Sequence, residues 1–251
     1  MSDVRLFAVE GIPRVEPGSD LAALLLDALR AQGESLVDGD IVVICQKVVS
    51  KSEGRTVRYG DIRPSPLAVT IAAEGGDKDA RIVEVVLRQT KRIVKMDRGH
   101  LIVETGPGWV CANAGVDESN GLSPDSVILL PEDPDASARL LRDRLRESSG
   151  AVVAVVITDT FGRAWREGLL DIALGAAGIE PLLDLRGQQD LNGRDLHHTV
   201  IAQADALAAT AGLLMRKGDG LPVVIVRGHR FAPSDAGGVA LVRAKENDLF
   251  R

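Results

Sequence analysis

The chain has 251 residues, 45% of them hydrophobic and 26% charged, a balance that excludes a disordered, collagen-like or coiled-coil protein and allows one large domain or two small lobes. Thirty Lys and Arg against 36 Asp and Glu give a net charge of −6, so global attraction to nucleic acid or anionic membrane is excluded and any anion site must be local. Seven aromatics, four Phe, two Trp and one Tyr, leave the core to aliphatic side chains and offer little for stacking on single-stranded nucleic acid.

Apolar runs alternate with amphipathic ones from end to end, which predicts a fold mixing strands and helices. In chain order, Val- and Ile-rich runs predict strands over 6–9, 41–48, 67–71, 101–104, 109–112, 127–130, 152–158 and 223–227. Helices are expected over 21–31, capped by Ser19 or Asp20 and stopped by Gly33, and over 79–95, with Lys91, Arg92 and Lys95 near its C-terminal end. Another is expected from 134 onward, capped by Asp133 and opened by Pro134, and a fourth over the alanine-rich 199–215. Lobe boundaries are expected near 74–78 and 184–195, and 232–240 reads as a mobile loop.

Cys45 and Cys111 lie in separate apolar stretches without zinc-knuckle or redox-pair spacing, and read as packing residues. No apolar run approaches the roughly 20 residues that cross a bilayer, and the N-terminus has no signal-peptide core, so the chain reads as cytoplasmic.

Three segments carry chemistry. The first runs Ile157-Thr158-Asp159-Thr160-Phe161-Gly162-Arg163-Ala164-Trp165-Arg166: a buried strand ends in a carboxylate and a hydroxyl, which suit Mg²⁺ or Mn²⁺, and is followed by two arginines, which suit phosphate or carboxylate oxygens. Read blandly, Asp159 is a turn residue and the arginines form a solvated face. The second, 113–120, comes directly after a strand and offers Asp117 as a second metal carboxylate with Asn120 bonding a ligand, or simply an Asx-turn; calcium-loop spacing fails, because Pro124 stands at its twelfth position. In the third, Gln46 to Arg55, the side chains of Lys47, Lys51 and Arg55 concentrate positive charge, as phosphate binding requires and as a soluble surface also permits.

Absences narrow the choice. There is no P-loop sequence, and Gly106-Pro107-Gly108 lacks the third glycine of a dinucleotide fingerprint. His100, His197, His198 and His229 show no metal spacing, and no G-x-S-x-G elbow occurs.

Taken together, these segments resemble the coenzyme F-420:L-glutamate ligase family, the gamma-glutamyl ligases of the deazaflavin coenzyme. The matching stretches are Gly11-Ile12-Pro13, Asp38-Gly39-Asp40, 46–54, 113–120, Leu130-Pro131-Glu132-Asp133-Pro134-Asp135, 158–166, Asp184-Leu185-Arg186-Gly187 and Asn247-Asp248-Leu249-Phe250-Arg251, collinear over nearly the whole chain. The resemblance implies an α+β, two-lobed fold of mixed and antiparallel sheets with packed helices, in an intertwined homodimer. It also implies the stand-alone form, one ligase module over 1–251 without the nitroreductase-like domain of some relatives.

The activity implied is GTP-dependent ligation of L-glutamate to the deazaflavin precursor through an acyl phosphate, releasing GDP and phosphate and building a γ-linked glutamate tail. Carried over by position, Gly11, Ile12, Pro13, Arg14, Gln46, Lys47, Lys51 and Asn120 would hold the nucleotide. Asp117, Asp159 and Thr160 would hold Mg²⁺ or Mn²⁺, with Asp117, Asp159 and Lys51 as the catalytic set. A monovalent cation such as K⁺ is a further expected cofactor. The acidic, glycine-rich loop of the family is matched more loosely to 234–238, which would give Gly237 and Gly238 to nucleotide and Asp235 to metal. Arg163 and Arg166 are assigned to the glutamate carboxylate or the deazaflavin phosphodiester from their chemistry alone. The residues by themselves leave a metal-dependent phosphohydrolase, or a nucleotide- or deazaflavin-binding module, as alternatives.

Overall fold

In a computed structural model, residues 3–76, 78–119, 121, 123–216 and 218–249 are described. The order is β1 (Arg5–Ala8), α1 (Leu21–Ala31), β2 (Ile41–Cys45), α2 (Gln46–Ser52), β3 (Thr56–Arg58), α3 (Pro66–Glu74), α4 (Ala80–Gln89), β4 (Thr90–Asp97), β5 (His100–Thr105) and β6 (Val110–Ala112). It continues with β7 (Ser126–Ile128), α5 (Pro134–Ser149), β8 (Ala154–Arg163), β9 (Arg166–Ala177), β10 (Leu182–Asp184), β11 (Val200–Ala202), α6 (Gln203–Gly212) and β12 (Val223–Arg227). The fold is α+β, as the resemblance implied.

The main sheet runs β1-β12-β2-β8-β9, parallel between β2 and β8 and antiparallel at its other pairings. Because strand side chains alternate, Val42, Ile44, Val155 and Ile157 enter one core with α1 and α5, while Ile41, Val43, Val156 and Val224 enter another with α6. The sheet is therefore covered on both faces, which explains why these strands read as continuous apolar runs. A second region, with its own core of Ala68, Ile71, Val83, Val86, Leu101 and Val103, joins α3 and α4 to the β4-β5-β6 sheet, and β3 pairs with β7 beside it.

Caps fix the helix starts. Asp20 accepts from the amides of Ala22 and Ala23, Asp79 from Arg81, and Asp133 from Ala136. Several expected elements are corrected. Residues 67–71 form helix, because Pro66 opens α3 at its first turn and Ser65 Oγ caps the Ala68 amide at 3.2 Å. The strand from Ile41 stops at Cys45 and turns into α2, and the helix from Ala80 ends at Gln89 before β4 takes over. Residues 200–202 pair with β10 before α6 begins, and β9 was not expected at all.

The bland reading holds for other motif residues. Asp40, fully buried, takes two hydrogen bonds from Arg227 at 2.8 Å and ties β12 to the turn before β2. Cys45 and Cys111 are free; burial pushes their thiols up to about 11 and about 12, and Cys111 is the buried packing residue expected, while Cys45 is partly buried and lines the cavity described below.

Candidate active site

The parallel pairing of β2 with β8 ends at Cys45 opposite Thr158, so the residues next in the chain after that pair are delivered to one edge of the shared sheet. After β2 the chain turns into α2, carrying Lys47 and Lys51; along β8 the next residues are Asp159 and Thr160. A cavity of about 320 Å³ opens there, within the size range of small-molecule sites. Its walls hold Ile12, Pro13, Arg14, Lys47, Lys51, Asp117, Asp159 and Thr160, so residues separated in sequence by almost 150 positions meet in one place.

The charges are arranged in pairs and gaps. Lys47 Nζ lies 2.6 Å from Asp117 Oδ2 and donates to Ser119 Oγ at 2.6 Å, while the Ser119 amide donates to Asp117 Oδ1 at 2.6 Å. Burial pushes the Asp117 carboxyl up, but the bonds from Lys47 and Ser119 outweigh it and hold it below the ordinary range. The Asx-turn residue and the cavity-lining carboxylate are thus the same residue.

Asp159 is the opposite case. It makes no ion pair among the described residues, and burial, reinforced by the Asp117 charge, pushes its carboxyl up to about 6 against the weaker pull of the Thr160 amide, Lys47 and Gln46. On the cationic side, Lys51 is held below the ordinary lysine range by burial and by repulsion from Arg14 and Lys47. Three crowded cations and an uncompensated carboxylate are what a polyanion accompanied by a metal ion would relieve.

The structure adds two features that sequence reasoning missed. Asp171, on β9 directly opposite Thr160, lines the cavity and accepts the Thr160 hydroxyl at 2.6 Å. With its proton committed to Asp171, Thr160 Oγ1 offers only lone pairs to anything else, which suits a cation and not a phosphate oxygen. Gly212 closes on Asp171 from the end of α6, where a Cβ would collide with the carboxylate. The second feature is the segment between α6 and β12: Met215, Arg216, Gly218, Gly220, Leu221 and Pro222 line the cavity. Its Gly-Asp-Gly run was the only signal in sequence.

Other assigned residues fall elsewhere. Gly237 and Gly238 do not line the cavity; they wrap the nearly buried Asp135, which accepts from the amides of Ala176 at 2.8 Å, Gly238 at 2.6 Å and Val239 at 3.2 Å. Asp235 pairs with Arg142 and accepts from the Gly178 amide at 3.2 Å, so the glycine-rich wall is 215–222 and not 234–238. Arg163 and Arg166 flank the tip of the β8–β9 hairpin, where Arg163 donates to the Glu167 carbonyl at 2.5 Å, and neither lines the cavity. Gln46 is fully buried behind the wall with Oε1 accepting from Ser50, and its Nε2 makes no hydrogen bond within 3.5 Å. Gly11 lies just before the lining residues, and Asn120 lies outside the described residues.

Among the described residues no three His, Cys, Asp or Glu side chains come together as a metal group. The oxygen donors present, Asp159, Thr160 and Asp117, fit Mg²⁺ or Mn²⁺ held by one or two carboxylates with the rest of the shell left to phosphate oxygens and water.

Collinear motifs, together with a cation-crowded cavity ending in carboxylates, invite comparison with known proteins. A profile of the F420-0:Gamma-glutamyl ligase family matches residues 11–228. The chain belongs to this family. Among its relatives, the Coenzyme F420:L-glutamate ligase of Methanothermobacter thermautotrophicus is 44% identical over 251 residues, covering 99% of each chain. That of Methanopyrus kandleri is 46% identical over 261 residues with full coverage of both, and that of Archaeoglobus fulgidus 42% over 249 residues, 99% of this chain and 96% of its own. The family match spans both β2–α2 and β8–β9, the two strand ends that build the cavity. No helix among the described residues is long and apolar enough to cross a membrane.

Proposed function

We propose that the protein joins L-glutamate to a deazaflavin coenzyme precursor at the expense of GTP, in the cavity at the ends of β2 and β8. The γ-phosphoryl group passes to an oxygen of the precursor's terminal carboxylate, giving an acyl phosphate and GDP. The glutamate amine then attacks the acyl carbon, loses a proton, and expels phosphate as the amide forms. Repetition on the new terminal carboxylate extends the γ-linked tail. Full-length relatives carrying that name support the ligase class. The observation that supports the phosphoryl route is the juxtaposition of Arg14, Lys47 and Lys51 in one cavity with Asp159, which has no ion pair among the described residues.

In this reading Lys47 and Lys51 neutralise the phosphate oxygens as charge moves between them, and Arg14 holds the nucleotide from the loop before α1. Asp117 keeps Lys47 in place through the 2.6 Å pair. Asp159 and Thr160, with Asp117, would hold Mg²⁺ or Mn²⁺, which would supply Lewis-acid charge neutralisation for the phosphoryl group. Asp171 orients the Thr160 hydroxyl so that its lone pairs serve that purpose.

The test is mass spectrometry of the non-glutamylated precursor after incubation with protein, GTP, Mg²⁺ or Mn²⁺ and L-glutamate, leaving out one component at a time. Glutamyl increments that need every component support the proposal. Phosphate release without increments, persisting when glutamate is omitted, would instead identify a phosphohydrolase.

A further inference from the structure

A second cavity, of about 330 Å³, shares no lining residue with the first but is built from the same stretches of chain. Arg55 reaches it from just beyond α2, whose Lys51 faces the first cavity. Ala114 reaches it from the turn that carries Asp117 to the first. That turn holds three consecutive left-handed residues, Asn113, Ala114 and Gly115, at φ of 51°, 53° and 68°. For the two that are not glycine this conformation is strained, and strain of this kind collects where a turn must present side chains in fixed directions.

The lining of the second cavity has an excess of hydrogen-bond donors. Arg55 uses Nε on the Leu130 carbonyl at 3.1 Å and one Nη on Gln89 at 3.1 Å, and its other Nη has no protein partner among the described residues. Arg88 pairs through Nε with Glu84 at 3.0 Å, which leaves both of its Nη groups without a partner there. The walls also contain the Thr105 hydroxyl and the Trp109 indole N–H, both buried without a hydrogen-bond partner, an arrangement that costs free energy unless an occupant or its water supplies acceptors. Against these donors stands one carboxylate, Glu132, which makes no ion pair among the described residues. Two guanidinium groups, two neutral donors and a single acid match a small zwitterion that carries more carboxylate than ammonium.

We infer that this cavity binds an acidic α-amino acid, its carboxylates on Arg55 and Arg88 and its ammonium on Glu132. Given the ligase reading, on which the choice among acidic amino acids rests, the ligand is L-glutamate.

The experiment is titration calorimetry of the full chain with L-glutamate, alone and with GDP and Mg²⁺ present, on the wild type and on Arg88→Ala, Trp109→Phe and Asp159→Asn. Arg88 is half-exposed on α4 and pairs with Glu84 alone among the described residues, so its removal leaves the cores intact, which thermal melting checks. The expected result is saturable glutamate binding that weakens about tenfold or more in Arg88→Ala, the order expected for a lost charge-assisted bond, and stays within about twofold in Asp159→Asn. Inorganic phosphate in place of glutamate should give no heat that depends on Arg88; if it does, the cavity is a general anion site and the amino-acid assignment is wrong. Absence of saturable binding in both conditions, or binding indifferent to Arg88, overturns the inference. If ligation proceeds while Arg88→Ala leaves the glutamate KM unchanged, this inference falls and the ligase reading stands. If glutamate binds through Arg88 and no ligation occurs under any condition, the site stands and the ligase reading falls.

Discussion

Replacing Asp159 by asparagine should make the protein more stable at neutral pH while abolishing its activity. The unfolded carboxyl titrates near 3.8 and the folded one near 6, because burial and the neighbouring Asp117 charge oppose ionisation. The native state therefore holds its proton to a higher pH than the unfolded state does. The stability contributed by this group is fully present below about 3.8, falls as pH rises from there to about 6, and is level above. The gap between the two values is worth roughly 3 kcal/mol. Asparagine cannot ionise, so the difference in unfolding free energy between variant and wild type isolates this one group, other titrations being common to both. Urea unfolding of both proteins at pH steps from 4 to 8, without divalent metal, should show the variant gaining on the wild type by roughly 3 kcal/mol, with the gain complete near pH 6.5. In thermal melts of a chain this size the same gain is roughly 6–12 °C. Adding Mg²⁺ or Mn²⁺ at pH 8 should stabilise the wild type and not the variant, closing the gap. A difference that does not change with pH, or that shrinks as pH rises, would show that Asp159 is not a buried, uncompensated carboxylate and would remove the main reason for placing a cation beside it.

The same geometry sets expectations at other positions. Asp171→Asn should lower kcat/KM and Mn²⁺ affinity together by about ten- to a hundredfold, the value of a hydrogen bond to a charged group, and Gly212→Ala should move both in the same direction by displacing the carboxylate. Mn²⁺ electron paramagnetic resonance reads the affinity directly, and an unchanged value in both variants would refute the role given to Thr160 Oγ1. Asp235→Asn should leave metal affinity unchanged and alter stability by less than about 1 kcal/mol, since its partner Arg142 is met at the surface. Asp135→Ala should cost about 2–3 kcal/mol, seen as a lowered urea midpoint, because three backbone N–H groups lose their acceptor at once. Lys47→Met should weaken GDP binding at least tenfold in fluorescence or calorimetric titration, the largest loss of any single cation in the cavity because Lys47 also fixes Asp117.

How much the sequence discloses depends on how local the determinant is. Asp20, Asp79 and Asp133 could be read as helix starts because a cap acts over three residues, whereas Lys47, Lys51, Asp117, Asp159 and Thr160 could be joined into one site only through the family resemblance, since residues on α2, β8 and the turn after β6 meet only in the fold. Residues 67–71 misled because a short apolar run fits a strand or a buried helix equally; the hydroxyl of Ser65 and the ring of Pro66 decide it. Asp171 was invisible for a different reason. Its meaning comes from lying opposite Thr160, and that register is set by the whole β8–β9 hairpin, including the bulges beside Thr158 and Arg163. The place of 215–222 in the cavity wall was hidden for the same reason. This stretch and 234–238 both combine an aspartate with glycines, and only the packing of Gly238 against Asp135 shows which of them serves as a staple.

The central claim is that this cavity activates a carboxylate by phosphoryl transfer, and oxygen labelling tests it most directly. With the precursor's terminal carboxylate enriched in ¹⁸O, and with GTP, Mg²⁺ and L-glutamate present, the acyl-phosphate route carries one labelled oxygen into phosphate for each glutamate joined in the first round. Labelled phosphate in that ratio is the expected result. Amide formation accompanied by unlabelled phosphate would contradict the account.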